Sequence, residues 1–137
     1  MHRSVANSIG PHLPYVRRFA RALTGSRTRG DGYVLAMLET LITETSLYDE
    51  ALSPRCATYK AFLRVWSAMP LNLDREPILD GIPGPTDRRI ESLSHKARQA
   101  FLLATVEELS IAEIAAIMGI DELQVTRLID AAGREIA

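Results

Sequence analysis

Residues 110–121 encode both ends of a short helix and the start of the next one, and they constrain the fold more than any other segment. Ser110 and Glu113 have the spacing of a capping box, in which the serine and the glutamate each satisfy a free backbone N–H of the first turn. An apolar run follows, and Gly119 supplies the left-handed conformation that commonly ends a helix. Asp121 can cap the next helix. The pattern predicts two short helices joined by a tight turn.

The first 70 residues predict three more helices. Pro14 suits the first turn of one helix, Asp31 can cap a second, and Ser53 followed by Pro54 is a cap and first-turn pair for a third. Each helix has apolar residues at helical spacing on one face. These faces are Val16, Phe19, Ala20 and Leu23; Val34, Leu38, Leu41 and Ile42; and Tyr59, Phe62, Leu63 and Trp66.

The chain divides where its composition changes. Prolines and glycines concentrate between residues 70 and 87, which is typical of a linker or a long loop. Beyond it, Ser94 can cap a helix that runs through Glu107. No alternating strand pattern and no Asn-Gly hairpin occurs. We therefore predict an all-α protein of two small helical subdomains: a three-helix bundle over 1–70, a linker over 71–92 and a helix-turn-helix over 93–137.

Several functional classes are disfavoured by the sequence. It contains no apolar run of about 18 residues, so no membrane span is expected. Residues 1–10 lack the apolar core of a secretory signal, which favours a cytoplasmic location. The three histidines are scattered, and no phosphate loop or nucleophile motif is present. We expect no metal, no cofactor and no enzymatic activity.

Charge is unevenly distributed along the chain. Residues 1–70 carry nine basic and five acidic side chains, whereas residues 93–137 carry four basic and seven acidic ones. DNA-binding modules are normally basic, because neutralising phosphates supplies most of their affinity. The predicted helix-turn-helix, residues 93–137, is instead acidic, and this disfavours DNA binding.

Residues 93–103 (LSHKARQAFLL) and 107–120 (EELSIAEIAAIMGI) resemble region four of extracytoplasmic-function sigma factors in order and spacing. Residues 12–25 (HLPYVRRFARALTG) resemble the opening of region two. The resemblance covers nearly the whole chain, with the Pro/Gly linker between the two halves.

A closer resemblance is to the sigma-like domain of the PhyR family of general stress response regulators of alphaproteobacteria. It rests on residues 11–15 (PHLPY), 22–25 (ALTG), 30–34 (GDGYV) and 98–107 (RQAFLLATVE). The resemblance implies a sigma-factor mimic that binds a NepR-type anti-sigma factor and so releases a sigma factor of the EcfG type. It also implies a C-terminal receiver domain that gates the mimic by phosphorylation. This chain ends at Ala137, about where a receiver would begin, so we expect a sigma-like part without its receiver.

The sequence departs from true sigma factors at the residues that contact DNA and polymerase. The outward basic positions of the recognition helix are occupied by Thr126, Leu128, Ala131 and Gly133, Asp130 is added, and only Arg127 and Arg134 are positive. Leucine cannot donate to a guanine edge, and an outward apolar residue suits a protein partner better than a DNA groove. The Asp-Leu-Val-Gln motif of region two, which clamps RNA polymerase, is replaced by residues 32–35 (GYVL).

The candidate partner-binding residues come from three places. The helix before the capping box is apolar nearly all round, including Phe101, Leu102 and Val106, more than one neighbour can cover. An amphipathic helix of another chain could dock there, or Phe101 and Leu102 could pack on the N-terminal bundle of the same chain. The resemblance favours a partner. The full candidate set for anti-sigma binding is Arg17, Arg18, Arg21, Trp66, Phe101, Leu102, Val106 and Leu128.

Each of the other candidates has a simpler structural alternative. The arginines could form an electrostatic dock for an acidic segment, or a solvated helix face. Trp66 could lie at an interface or in the core. Two functions follow: an interaction module that sequesters an anti-sigma factor, and, as the alternative, a genuine extracytoplasmic-function sigma factor that directs RNA polymerase to stress promoters.

Overall fold

The structure is a computed structural model, and it describes residues 2–68 and 85–136. Within these two ranges the chain forms helices and no strands, so the all-α prediction is confirmed. The α-helices are α1 (His2–Ile9), α2 (Leu13–Thr24), α3 (Arg27–Thr43), α4 (Pro54–Ala68), α5 (Pro85–Thr105), α6 (Ile111–Met118) and α7 (Glu122–Ile136). Two 3₁₀ turns, Gly10–His12 and Thr45–Leu47, connect neighbouring helices. Most of the predicted linker, 71–92, lies outside the described residues.

Local sequence explains how α2 ends and α3 begins. Gly25 ends α2 in the left-handed conformation, with φ at 71°, and its N–H donates to Arg21 O at 2.9 Å. Ser26 then caps α3, because its side chain accepts a hydrogen bond from Arg29 N at 3.2 Å. The expectation that Asp31 caps this helix is wrong. A serine directly after the turn is available earlier in the chain, and Asp31 lies inside the helix.

The remaining N-terminal elements follow the sequence with two differences. Ser53 Oγ accepts from Cys56 N at 3.2 Å, and α4 begins at Pro54 as predicted. The short helix α1 was not predicted, and it contributes Val5 to the core. Ile42 was placed on the buried face of α3, but it is 69% exposed because only one stripe of that helix meets α2 and α4.

In the C-terminal half, α5 begins at Pro85 rather than after Ser94, so residues 85–92 are helical although they were assigned to the linker. A proline is well suited to the first turn of a helix, since its missing N–H has no partner to lose there. The predicted capping box is confirmed: Glu113 N donates to Ser110 Oγ at 3.1 Å, and Ser110 N donates to Glu113 Oε1 at 3.0 Å. Gly119 ends α6 with φ at 69°.

One hydrophobic core extends through both halves of the chain. Phe19 of α2 packs edge-on against Tyr59 and Phe62 of α4, with ring centroids 5.6 and 5.9 Å apart. Leu103 of α5 and Ile114 of α6 belong to the same buried cluster. The two halves are therefore packed against each other, with α5 against α2 and α6 against α4. No helix among the described residues is long and apolar enough to cross a membrane.

Candidate protein-binding site

A groove of about 750 Å³ lies where the two halves meet. One wall is the C-terminal part of α4, and the other is formed by the end of α6, the following turn and α7; α5 contributes between them. The apolar residues that line it are Leu63, Ala68, Ile117, Met118, Gly119, Ile120 and Leu128. A concave surface with an apolar base between helices is the shape that accepts an amphipathic helix of a partner.

The rim of this groove is basic. Lys60 and Arg64 of α4, Lys96 of α5 and Arg127 of α7 all line it, and none of the lining residues in the described part of the chain is acidic. Lys60 is already paired, because its Nζ lies 2.8 Å from Asp49 Oδ2. This pairing, together with the backbone N–H of Ala51, lowers the pKa of Asp49. Arg64, Lys96 and Arg127 are exposed and give the groove a positive rim that suits carboxylates.

Leu128 is the candidate residue that lies in this groove. It is partly buried, packs against the edge of the core and borders the groove beside Arg127. Leu123, five residues earlier on α7, is 59% exposed and is not among the residues that line the groove. The helix that reads DNA in sigma factors therefore presents leucines here, and one of them forms part of a concave surface.

A second feature lies outside the groove, at the loop between α5 and α6. Glu107 in this loop has a fully buried side chain, yet its carboxylate is well satisfied. Arg18 of α2 donates to it twice, from Nε at 3.0 Å and from Nη2 at 2.9 Å, and the hydroxyl of Tyr59 donates as well. We call the contact region between the two halves at this loop the seam, and Arg18, Tyr59 and Glu107 the seam cluster. The seam cluster joins α2 and α4 of the first half to the second half.

Two neighbours extend the seam along α4. Arg55 Nη2 donates to the carbonyl oxygen of Glu107 at 2.6 Å, and Cys56 Sγ lies 3.6 Å from Glu113 Oε2. Burial raises the pKa of the Cys56 thiol, and burial together with the Glu107 carboxylate raises the pKa of Tyr59. The hydrogen bond to Glu107 raises the pKa of Arg18, which keeps its charge at any physiological pH. The seam is thus closed by specific polar contacts as well as by the shared core.

The other two predicted arginines lie on another part of α2. Arg21 donates to Asp31 through Nε at 2.8 Å and through Nη2 at 2.9 Å, and Arg17 Nη2 lies 3.7 Å from the same carboxylate. The hydrogen bonds from Arg21 lower the pKa of Asp31. Each candidate arginine therefore has a carboxylate within this chain. Their docking role for a partner stays a prediction.

The remaining candidates divide between the core and its edge. Trp66 is buried and packs edge-on against Tyr33, with ring centroids 6.4 Å apart, and its ring centroid lies 5.6 Å from that of His95. Leu102 is partly buried and packs against the core of the same chain, and its contact with a partner stays a prediction. Phe101 is half-buried, and Val106 is 39% exposed beside the seam. The structure places only Leu128 in the groove and only Arg18 in the seam cluster, so the candidate set does not form one site.

Sequence reasoning missed most of the groove. Lys60 and Arg64 of the first half and Lys96 of the second each look like ordinary surface cations in the sequence, and the acidic net charge of residues 93–137 further hides Lys96. A weak signal was available on α4, where Lys60, Leu63, Arg64 and Ser67 share one face at helical spacing. Their convergence with α7 depends on how the halves pack, which periodicity does not give.

Two family models match this chain, one in each half. Residues 9–63 match the family model described as the Sigma2 domain of PhyR, and residues 90–137 match the one described as the response regulator PhyR, sigma-like domain. The phyllosphere-induced regulator PhyR of Methylorubrum extorquens is 37% identical over 134 residues, which cover 98% of this chain and 49% of that protein. The chain thus spans about half the length of the curated relative it matches.

Solved structures of PhyR proteins are also similar to this chain. The anti-anti-sigma factor PhyR of Bartonella quintana, in its co-crystal with the anti-sigma factor NepR, is 38% identical, with a TM-score of 0.75 over 96% of this chain and 49% of that one. The PhyRSL–NepR complex of Sphingomonas sp. Fr1 is 31% identical, with a TM-score of 0.69 over 96% of this chain and 86% of that one. The fold and groove define a helical protein with two sigma-like halves. The chain belongs to the PhyR family, of which it contains the sigma-like part.

Proposed function

We propose that this chain is a sigma-factor mimic that binds a NepR-type anti-sigma factor and thereby frees an EcfG-type sigma factor in the general stress response. The single observation that carries the proposal is the groove at the junction of the halves, with an apolar base that includes Leu128 and a rim of exposed cations. Two relatives of the same family are known in complexes with NepR. A regulator of this kind works by occupying a partner and needs no catalytic group.

The groove suits one face of an amphipathic helix. Apolar side chains at i, i+3, i+4 and i+7 of such a helix would lie on Leu63, Ile117 and Leu128, and carboxylates beside that stripe would meet Arg64 or Arg127. Opposite charges at the rim would chiefly raise the association rate and select against basic partners. The predicted contributions of Phe101, Val106 and the α2 arginines belong to a separate surface. They would require the partner to extend beyond the groove.

The rest of the family's regulation belongs to the same proposal. In a longer protein, a receiver domain following residue 137 would cover or release this surface according to its phosphorylation. Such a switch would operate in the cytoplasm, where sigma factors and RNA polymerase meet. Sequencing of the gene beyond codon 137 would test whether a receiver is encoded.

The alternative function is that of a genuine extracytoplasmic-function sigma factor. The helix-turn-helix frame is intact, and Arg127 is exposed on α7. A DNA reader would, however, need several cations on that helix, where Thr126 and Asp130 stand instead. Direct reading of promoter DNA is therefore not favoured.

One pair of measurements separates the two functions. Calorimetric titration with purified Bartonella quintana NepR should show saturable one-to-one binding. Promoter DNA should show no binding in the presence of core RNA polymerase, at low or at physiological salt. If the chain directs polymerase to a promoter in a salt-dependent way and ignores NepR, the mimic proposal is wrong.

A further inference from the structure

The helix α4 is the wall that the groove and the seam have in common. Its residues Lys60, Leu63 and Arg64 face the groove. Its residues Arg55 and Tyr59, which lie nearer its N-terminus and do not line the groove, contact Glu107. The position of α4 relative to the second half therefore fixes the width of the groove, and the contacts that fix that position lie outside the groove.

Several hydrogen bonds between the two halves converge on Glu107. The buried Glu107 carboxylate accepts from both Arg18 and Tyr59, and its carbonyl oxygen accepts from Arg55. The next residue, Glu108, has φ at 58°, in the left-handed region that non-glycine residues rarely adopt. Such a conformation persists only where the surrounding contacts enforce it. The loop between α5 and α6 is therefore held in place by its bonds to the first half.

Loss of these bonds would affect the groove at a distance. A buried carboxylate without its cation is strongly unfavourable while the two halves are packed against each other. This free-energy cost is relieved when the loop moves and the carboxylate reaches water. Movement of that loop carries α6 with it, because α6 begins at Ile111, directly after its N-cap residue Ser110 at the end of the loop. The opposing walls of the groove would then no longer be fixed.

We infer that Glu107 is a positioning residue: through Arg18 and Tyr59 it holds the two halves at the separation that presents a preformed groove to the partner. The inference rests on the proposed function, and it adds how the binding surface is maintained. Preorganisation of this kind raises affinity by removing the cost of ordering the site at the moment of binding. When only a fraction of the molecules has the competent arrangement, the apparent affinity falls by that fraction.

Three variants separate positioning from mere stability. Arg18→Met removes the cation from Glu107. The triple variant Arg18→Met, Tyr59→Phe, Glu107→Leu replaces the whole seam cluster by apolar groups. It leaves no buried charge and is expected to restore the melting temperature, but it lacks the directional bonds that fix the separation of the two halves. Arg17→Met is the matched control, because Arg17 is on the same helix, 52% exposed, and its ion pair is with Asp31.

The first measurement is made on the free chain. Spin labels at Leu35→Cys on α3 and Glu122→Cys on α7, two exposed sites in opposite halves, report the distance between the halves. The native Cys56 is kept, because it is buried and contacts Glu113 across the seam. We expect one narrow distance distribution for the parent chain and for Arg17→Met, and a broadened or two-peaked distribution for Arg18→Met and the triple variant. A distribution that stays narrow in both seam variants overturns the inference.

The second measurement is the affinity for Bartonella quintana NepR. If nine-tenths of the molecules lack the separation of the halves that the partner requires, the apparent affinity for NepR falls about tenfold. We expect such a loss for Arg18→Met and for the triple variant, and none for Arg27→Met, which changes an exposed cation of α3 that lies outside the groove, the seam cluster and the candidate set. Recovery of binding in the triple variant together with its melting temperature would show that Glu107 acts only on stability. If the parent chain does not bind NepR, the proposed function fails, whereas the distance measurement still decides whether the seam positions the two halves.

Discussion

Arg18 of α2 and Glu107, 89 residues further along the chain, form a two-point ion pair in which the carboxylate is completely buried and the guanidinium is half exposed. Two parallel N–H···O bonds fix the relative orientation of both groups as well as their distance. The pair therefore ties two segments that belong to different halves of the chain. This ion pair joins the two halves in addition to the hydrophobic core that they share.

The first prediction concerns the stability that this pair provides. Arg18→Met should lower the free energy of unfolding by about 2–3 kcal/mol, because it leaves Glu107 buried with the Tyr59 hydroxyl as its side-chain donor. The figure lies below that for a fully buried pair, since Arg18 is half exposed and water can partly replace it. Urea denaturation followed by circular dichroism measures the change.

Arg17→Met is the control for this measurement. Its side chain is more than half exposed and its distance to Asp31 is 3.7 Å, so its removal should change stability by less than about 0.5 kcal/mol. Equal losses for the two variants would mean that the contact of Arg18 with Glu107 contributes little beyond a surface charge.

The second prediction concerns Leu128. Leu128→Lys should weaken NepR binding about tenfold or more, because a charged side chain would occupy the apolar base of the groove. The loss of stability should be smaller than about 1.5 kcal/mol, since Leu128 only borders the core and the lysine head can reach solvent. Calorimetric titration and thermal melting of the same preparations measure both effects.

Leu123→Lys is the matched control on the same helix. Leu123 is 59% exposed and does not line the groove, so this variant should bind NepR like the parent chain. A similar loss of affinity in both variants would indicate that positive charge anywhere on α7 impairs binding, and would argue against the groove.

Local signals in the sequence predicted much of the helical architecture. The capping box of Ser110 and Glu113, the stop at Gly119 and the start at Pro54 each depend on a few neighbouring residues, so they are encoded in short segments. Ser26 shows the limit of this approach. It and Asp31 are both good caps, and which one is used depends on where α3 meets α2.

The candidate site was much harder to predict, because it depends on contacts between distant segments. Leu128 could be proposed as a binding residue from one helix alone, since an outward leucine stands where a cation is expected. The role of Glu107 could not, because its partners Arg18 and Tyr59 come from two other helices. Lys96 likewise acquires its place in the groove only when α5 packs between the halves.

The third prediction concerns the close approach of α2 and α3. A Cβ atom at Gly30 would lie 2.7 Å from Arg21 N and 2.9 Å from Ala20 C, which are backbone atoms that cannot turn away. Gly30→Ala should therefore force the two helices apart and cost about 1–3 kcal/mol of unfolding free energy. Thermal melting measures the loss as a lower midpoint temperature.

Gly133→Ala is the corresponding control in α7. A Cβ atom there meets nothing within 4 Å, and alanine favours the helix over glycine, so the variant should be stabilised by about 0.5–1 kcal/mol. If both variants were stabilised, the close packing at Gly30 would be wrong.

The fourth prediction concerns the dependence of stability on acid. The hydrogen bonds from Arg21 hold the pKa of Asp31 below its ordinary value, so the folded chain binds this proton less readily than the unfolded chain. The resulting stabilisation is complete above the ordinary pKa and is lost as the pH falls below about 4 towards the lower, folded-state value. Asp31→Asn should therefore be less stable than the parent chain at neutral pH, and the difference should narrow as the medium becomes more acid.

Urea denaturation at neutral pH and at a series of acid pH values measures this difference. Asp49 and Glu113 also have lowered pKa values, through Lys60 and the Ser110 backbone N–H, so the Asp31→Asn variant should keep part of the acid sensitivity. Asp130→Asn, at an exposed position on α7, should follow the parent chain throughout. The stability difference between Asp31→Asn and the parent chain could instead stay constant from neutral to acid pH. The Arg21–Asp31 pair would then stabilise the fold through packing and not through charge, because an ionic contribution must disappear once the carboxylate is protonated.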